Sequence, residues 1–80
     1  MATLFRGSGI RVFVPPRDHR EPPHVHVEYG NCASKWLIIT GECVGQEHCT
    51  TGDLNKIAQV LTEHWNEIQE AWHAEWRQRS

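Results

Sequence analysis

Hydrophobic and polar residues alternate along residues 24–29, and this alternation predicts a β-strand with two chemically different faces. Side chains two residues apart in a strand share a face. The apolar set is expected to face the core and consists of Val25, Val27 and Tyr29. The polar set lies on the opposite side, which we call the histidine face, and consists of His24, His26 and Glu28.

Two further segments are rich in the β-branched and aromatic residues that favour strands. Residues 10–14 predict a first strand, and residues 34–40 predict a third. Residues 15–23 lie between the first two strands and predict a loop, because they hold all four prolines of the chain. Residues 41–52 predict an irregular connection, with a short fourth strand around Cys43.

Gly30 and Asn31 predict a two-residue hairpin turn between the second and third strands, because both residues tolerate a positive φ. This turn pairs His26 with Lys35 and so brings the lysine onto the histidine face. The other pairs expected in this register are Tyr29–Cys32, Val27–Ser34, Val25–Trp36, Glu28–Ala33 and His24–Leu37.

The C-terminal segment repeats apolar residues every three or four positions, which is typical of an amphipathic helix over about residues 52–78. Thr51 is expected to cap this helix, and Asp53 suits the positive end of its dipole. The apolar stripe consists of Leu54, Ile57, Ala58, Leu61, Trp65, Ile68, Trp72 and Trp76. Such a helix needs a surface on which to bury its stripe, and Phe13, Val25, Val27, Tyr29 and Trp36 are the sheet residues expected to receive it.

The predicted fold is therefore α+β, with an antiparallel sheet of three to four strands and one long C-terminal helix packed on one face. The sheet is a β-meander over about residues 10–46, and residues 1–80 form a single domain, since 80 residues leave no room for a second core. The other face of the sheet is expected to stay open.

Charge, hydrophobicity and cysteine content indicate which partners and which cellular compartment to expect. The net charge is −2, which gives no general attraction to nucleic acid or to anionic lipid. No apolar run is long enough to span a membrane. The three cysteines are odd in number and irregularly spaced, which favours reduced thiols in a cytoplasmic protein of bacterial or phage type over a disulfide scaffold.

The run Glu21-Pro22-Pro23-His24-Val25-His26-Val27-Glu28, followed by Gly30 and Lys35, resembles the DhiT-type proteins. These are small bacterial toxins of type II toxin–antitoxin modules, long carried as a domain of unknown function. The resemblance covers roughly residues 10–76 and includes Glu70-Ala71-Trp72-His73 in the closing helix. It implies a toxin-like protein whose partner is a cognate antitoxin, although Leu37 stands where the family usually has a second aromatic residue after the lysine.

The histidine face also carries candidate catalytic groups. His24 and His26 suit a general acid and a general base, because imidazole exchanges protons near neutral pH. Lys35 suits stabilisation of charge on a phosphate-like transition state. Together these residues predict ribonuclease-like phosphodiester cleavage that needs no metal or other cofactor.

Two metal sites are the alternatives to this prediction. His24, His26 and Glu28, with His19 from the loop, offer nitrogen and oxygen ligands. The residues of a second set, which match no zinc-knuckle spacing, are Cys32, Cys43, His48 and Cys49.

Four residues are assigned to binding. Glu28 belongs to the histidine face, Arg17 and Arg20 are candidate phosphate contacts in the proline loop, and Trp76 in the last helical turn is a candidate partner contact. The alternative function is a non-enzymatic protein-binding inhibitor, such as a phage-encoded anti-defence protein. The oligomeric state stays open, and a dimer through an exposed sheet edge is one option.

Overall fold

The computed structural model describes residues 3–14 and 24–79, with the side chains of residues 76–79 outside the described part. Within these residues the chain forms five strands and two helices, which confirms the α+β class. The elements are β1 (Thr3–Gly7), β2 (Ile10–Phe13), β3 (His24–Tyr29), β4 (Cys32–Leu37), β5 (Cys43–Glu47), α1 (Thr51–Glu63) and α2 (Trp65–Arg79).

The five strands form one antiparallel sheet in the order β1-β2-β3-β4-β5, so every strand pairs with its neighbour in the chain. The predicted register of β3 and β4 is confirmed at all six pairs, from His24 opposite Leu37 to Tyr29 opposite Cys32. The turn between them places Gly30 at φ 59°, a conformation that glycine adopts at little cost.

Strand β1 was not predicted, so the prediction of three to four strands was wrong. The segment is only five residues long and shows no regular alternation. It turns into β2 through Ser8 and Gly9, which have φ values of 54° and 78°. A serine at positive φ is uncommon, and this explains why the turn gave a weak signal.

Phe13 was expected on the helix-facing side of the sheet, and this expectation was wrong. Phe13 pairs directly with His26 and therefore lies on the histidine face. The alternation along β2 gives the core side to Ile10, Val12 and Val14, which are all buried.

The C-terminal segment forms two helices instead of one, because the backbone departs from helical geometry at His64 (φ −115°, ψ 18°). No glycine or proline marks this point in the sequence. The ring of His64 packs against Phe5 of β1, with centroids 4.4 Å apart, and its Nδ1 lies 3.4 Å from Glu67 Oε2. The break between the two helices thus coincides with a contact to β1, the strand that was not predicted.

Both helices lie on one face of the sheet, as expected, with α1 against β3 and α2 against β1. The N-cap of α1 is Thr50, one residue earlier than predicted, and it forms a capping box with Asp53. The apolar stripe of the two helices packs on the helix-facing side of the strands. The core includes Ile10, Val12, Val25, Val27, Trp36, Ile57, Leu61, Ile68 and Trp72.

The prediction of three reduced thiols was also wrong. Cys32, at the start of β4, is joined by a disulfide to Cys49, which directly precedes the N-cap of α1. Cys43 is a free, exposed thiol. Strand β4 leads the chain away from Cys32, and the antiparallel β5 leads it back to Glu47 beside Ala33, which brings Cys49 close to Cys32. Spacing in the sequence alone does not reveal this proximity.

Among the described residues, neither helix has the length and apolar character needed to cross a membrane.

Candidate functional site

The histidine face is built from rows of side chains that cross the sheet from strand to strand. The register places Phe13, His26, Lys35 and Gly45 directly beside one another in one row. A second row contains Arg11, Glu28, Ala33 and Glu47. The predicted meeting of His26 with Lys35 is thus present, and the rows extend onto β5.

His24 and His26 are neighbours on this face. Their ring centroids lie 5.3 Å apart and the ring planes are inclined by 32°. His24 is buried, with 9% of its surface exposed, whereas His26 is half-buried. The sheet therefore presents two imidazoles side by side, one of them more open to an incoming molecule.

An aromatic and cationic stack supports His26 from β2. Phe13 meets the imidazole edge to face, with centroids 5.6 Å apart. The guanidinium of Arg11 lies over the Phe13 ring at 4.5 Å, a cation–π contact. Arg11 also pairs with Glu28, with Nη1 and Oε1 separated by 3.1 Å. Glu28 is thus engaged within the sheet, and the ring of His26 is held by its neighbour.

A cleft of about 440 Å³ opens on the β5 side of the same face. It is lined by His26 and Lys35 together with Ala33, Gly45 and Glu47. Its volume falls within the range usual for small-molecule sites, roughly 300–1,000 Å³. His26 and Lys35 therefore border a shallow, open cleft on this face, and His24 is not among its lining residues. We call this feature the Gly45 cleft.

Several predicted residues lie beyond what the structure describes. Arg17, Arg20 and His19 fall in residues 15–23, outside the described residues. Trp76 belongs to α2, but its side chain is also outside the described part. These assignments stay predictions.

Neither metal alternative is supported by the geometry of the described residues. No group of three or more potential ligands comes together among residues 3–14 and 24–79. The cysteine set is contradicted, because the disulfide takes up Cys32 and Cys49 and leaves neither a thiolate.

Four residues of this face were not predicted from the sequence, namely Arg11, Phe13, Gly45 and Glu47. Phe13 and Arg11 follow from the alternation of β2 once its phase is set by Ile10 and Val12. Glu47 had no comparable signal, because the pairing of β5 with β4 shifts between Lys35 and Trp36 of β4. A shift of one residue in a strand exchanges its two faces.

Comparison with known proteins gives one family. A family model described as "Domain of unknown function (DUF4160)" matches residues 9–73, which include the whole histidine face on β2 to β5. No curated protein and no solved structure matches the chain.

Proposed function

The chain belongs to the family described as a domain of unknown function (DUF4160), a description that assigns no activity, and we propose that it is a toxin-like component of a type II toxin–antitoxin module that acts on RNA. The observation that carries this proposal is that His26 has His24 and Lys35 as neighbours and lines a shallow cleft together with Lys35. Support for the toxin assignment comes from the resemblance of residues 21–28 to the DhiT-type proteins.

The proposed reaction is transesterification within RNA. One imidazole takes the proton of a 2′-hydroxyl, whose oxygen attacks the adjacent phosphorus, and the bond from phosphorus to the 5′-oxygen breaks. The second imidazole gives a proton to that 5′-oxygen, so the products are a 2′,3′-cyclic phosphate and a free 5′-hydroxyl. The ring centroids of His24 and His26 lie 5.3 Å apart, a separation that supports action of both imidazoles on one phosphodiester.

Lys35 has the complementary role. Its register position directly opposite His26 supports a role for its ammonium group at the phosphate on which the histidines are proposed to act. The negative charge that develops on the phosphate oxygens is stabilised by such a group, most strongly where water is partly excluded. Phe13 keeps the ring of His26 in place for the proton transfer.

The test uses growth arrest, RNA integrity and cleavage of a labelled single-stranded RNA, with and without chelator. His26→Ala and His24→Asn are each expected to lower the cleavage rate by about 10²–10⁴-fold, because each removes one proton-transfer group. Lys35→Ala is expected to lower it as well, and chelator is expected to have no effect.

His73→Ala is the matched control, since His73 is an exposed histidine on α2, outside the histidine face. Circular dichroism establishes that each variant is folded. The proposal fails if the parent protein neither arrests growth nor cleaves RNA, or if the double variant at His24 and His26 remains as active as the parent.

The proposed setting follows from the proposed substrate. RNA is met in the cytoplasm, and a toxin acting there needs a cognate antitoxin to restrain it. The Cys32–Cys49 disulfide argues against this setting, because disulfides persist chiefly in oxidising compartments. The cytoplasmic assignment is tested by fractionation, and the antitoxin by co-purification of the product of the neighbouring gene.

One observation favours a second candidate function, a non-enzymatic inhibitor that binds a protein. Ile39 and Val44 are large apolar residues that expose 75% and 51% of their surface on the β4–β5 hairpin. Exposed apolar residues of this kind serve as contacts in protein interfaces. An inhibitor would keep its effect in the double variant at His24 and His26 and lose it in Ile39→Asn and Val44→Asn.

A further inference from the structure

Gly45 is where the row of Phe13, His26 and Lys35 ends without a side chain. A Cβ added at this position would meet only the Cβ of Lys35, at 3.8 Å, which is an ordinary contact. The φ of Gly45 is not in the left-handed region, so the backbone does not require glycine here. The missing side chain instead leaves open the space that forms the Gly45 cleft.

Glu47 borders the same space from the second row. It pairs with Ala33 and so shares the histidine face with Lys35, whose own partner is Gly45. Glu47 is exposed, and both Glu47 and Ala33 line the cleft. The lining of the cleft thus combines the imidazole of His26, the ammonium group of Lys35 and the carboxylate of Glu47 with the small residues Ala33 and Gly45, and Ser34 and Gln46 complete it.

We propose that the Gly45 cleft receives one unpaired base of a single-stranded RNA and that Glu47 reads the Watson–Crick edge of this base. This inference rests on the proposed function, because it takes the phosphate next to this base to lie at His26 and Lys35. Recognition of splayed-out bases through their Watson–Crick edges is the usual way in which proteins select RNA sequences.

The chemistry of a carboxylate determines which base fits. An ionised carboxylate only accepts hydrogen bonds. Guanine offers two adjacent donors, N1–H and the N2 amino group, which match its two oxygens. Uracil offers a single N3–H donor flanked by two carbonyl oxygens, which face the carboxylate unfavourably. The Gly45 cleft therefore favours guanosine and disfavours uridine.

The test compares four otherwise identical oligonucleotides that differ only in the base beside the scissile phosphate. The parent protein is expected to bind and cleave the guanosine substrate at least about tenfold better than the uridine substrate, the discrimination of one good bidentate pair. Glu47→Gln is expected to abolish most of this preference, because an amide presents a donor as well as an acceptor.

Two further variants locate the effect. Gly45→Val fills the cleft and is expected to remove the base preference together with at least about tenfold of the affinity for the guanosine substrate. Glu70→Gln, at an exposed glutamate of α2, is expected to leave the preference unchanged.

The outcomes separate the two proposals. RNA cleaved equally at all four bases overturns the inference and leaves the ribonuclease assignment standing. A guanosine preference that survives both Glu47→Gln and Gly45→Val overturns it as well. A parent protein that neither binds nor cleaves any of the four oligonucleotides contradicts both proposals.

Discussion

Ser34 is a buried polar residue on the core side of β4, where its hydroxyl satisfies a buried indole. The indole N–H of Trp36 donates to Ser34 Oγ at 2.8 Å, and this hydroxyl in turn donates to the carbonyl of Val27 at 3.5 Å. Trp36 exposes only 6% of its surface. A buried donor that loses its partner retains its full desolvation cost.

We therefore expect Ser34→Ala to lower the free energy of unfolding by about 1–3 kcal/mol, because it leaves the Trp36 indole without its acceptor. Urea denaturation followed by tryptophan fluorescence measures the change. Thr62→Ala is the control, since it removes an exposed hydroxyl that donates to the carbonyl of Ala58. Equal losses in the two variants would show that the buried hydrogen bond contributes nothing specific.

At the residue scale, the part of the site that the sequence predicts is the part governed by strict alternation. His26 and Lys35 were placed together because a two-residue turn fixes the register of its hairpin. Phe13 was predicted on the wrong face because the prediction depends on the phase of the alternation along β2. An error of one residue in this phase exchanges the two faces of the strand. Glu47 was not predicted because the register of the β4–β5 pairing shifts before this residue, and no local sequence pattern encodes that shift.

At the scale of elements, the start of α1 has the clearest local cause. The hydroxyl of Thr50 accepts from the backbone N–H of Asp53, and the Asp53 carboxylate accepts from the backbone N–H of Thr50, each at 3.0 Å. This reciprocal arrangement satisfies two backbone donors that a helix end leaves unpaired.

Thr50→Ala is expected to lower the free energy of unfolding by about 1 kcal/mol, because it removes the acceptor for the Asp53 N–H. Thermal denaturation by circular dichroism checks this value. Thr50→Ser keeps the hydroxyl and is expected to stay within a few tenths of a kcal/mol of the parent. A loss in Thr50→Ser as large as that in Thr50→Ala would assign the effect to the threonine methyl group instead.

The C-terminal helical segment shows which features of an element can be predicted from sequence. The amphipathic stripe predicted the helical segment, since its period survives the break at His64. At the break, His64 contacts Phe5, which lies more than fifty residues away in the chain and in a strand without a regular pattern. A contact between such distant segments leaves no trace in local periodicity, so one helix was predicted where two occur.

At the scale of the whole molecule, the disulfide fastens the helical layer to the sheet. Cys32 exposes only 2% of its surface, and its partner Cys49 lies one residue before the N-cap of α1. The sequence separation of the pair is 17 residues. Because a cross-link restricts the unfolded chain, a loop of this size contributes about 3 kcal/mol.

Reduction is therefore expected to lower the melting temperature, and Cys32→Ala with Cys49→Ala is expected to reproduce the lowered value without reductant. Calorimetry with and without dithiothreitol measures both. Cys43→Ser is the control and should melt like the parent, since Cys43 is free and exposed. Three titratable thiols in the untreated native protein, or a melting temperature unaffected by reductant, would contradict the pairing.

The irregular pairings of the sheet lie at its two margins, and this arrangement bears on association between copies of the chain. The register shifts in the pairing of β1 with β2 and of β4 with β5, whereas the inner pairs show no shift. Strands β1 and β5 are also only five residues long. Short, bulged margins are poor templates for another β-strand. Among the described residues, the two edge strands carry the irregular pairings, and we expect them to be poor templates for a further strand.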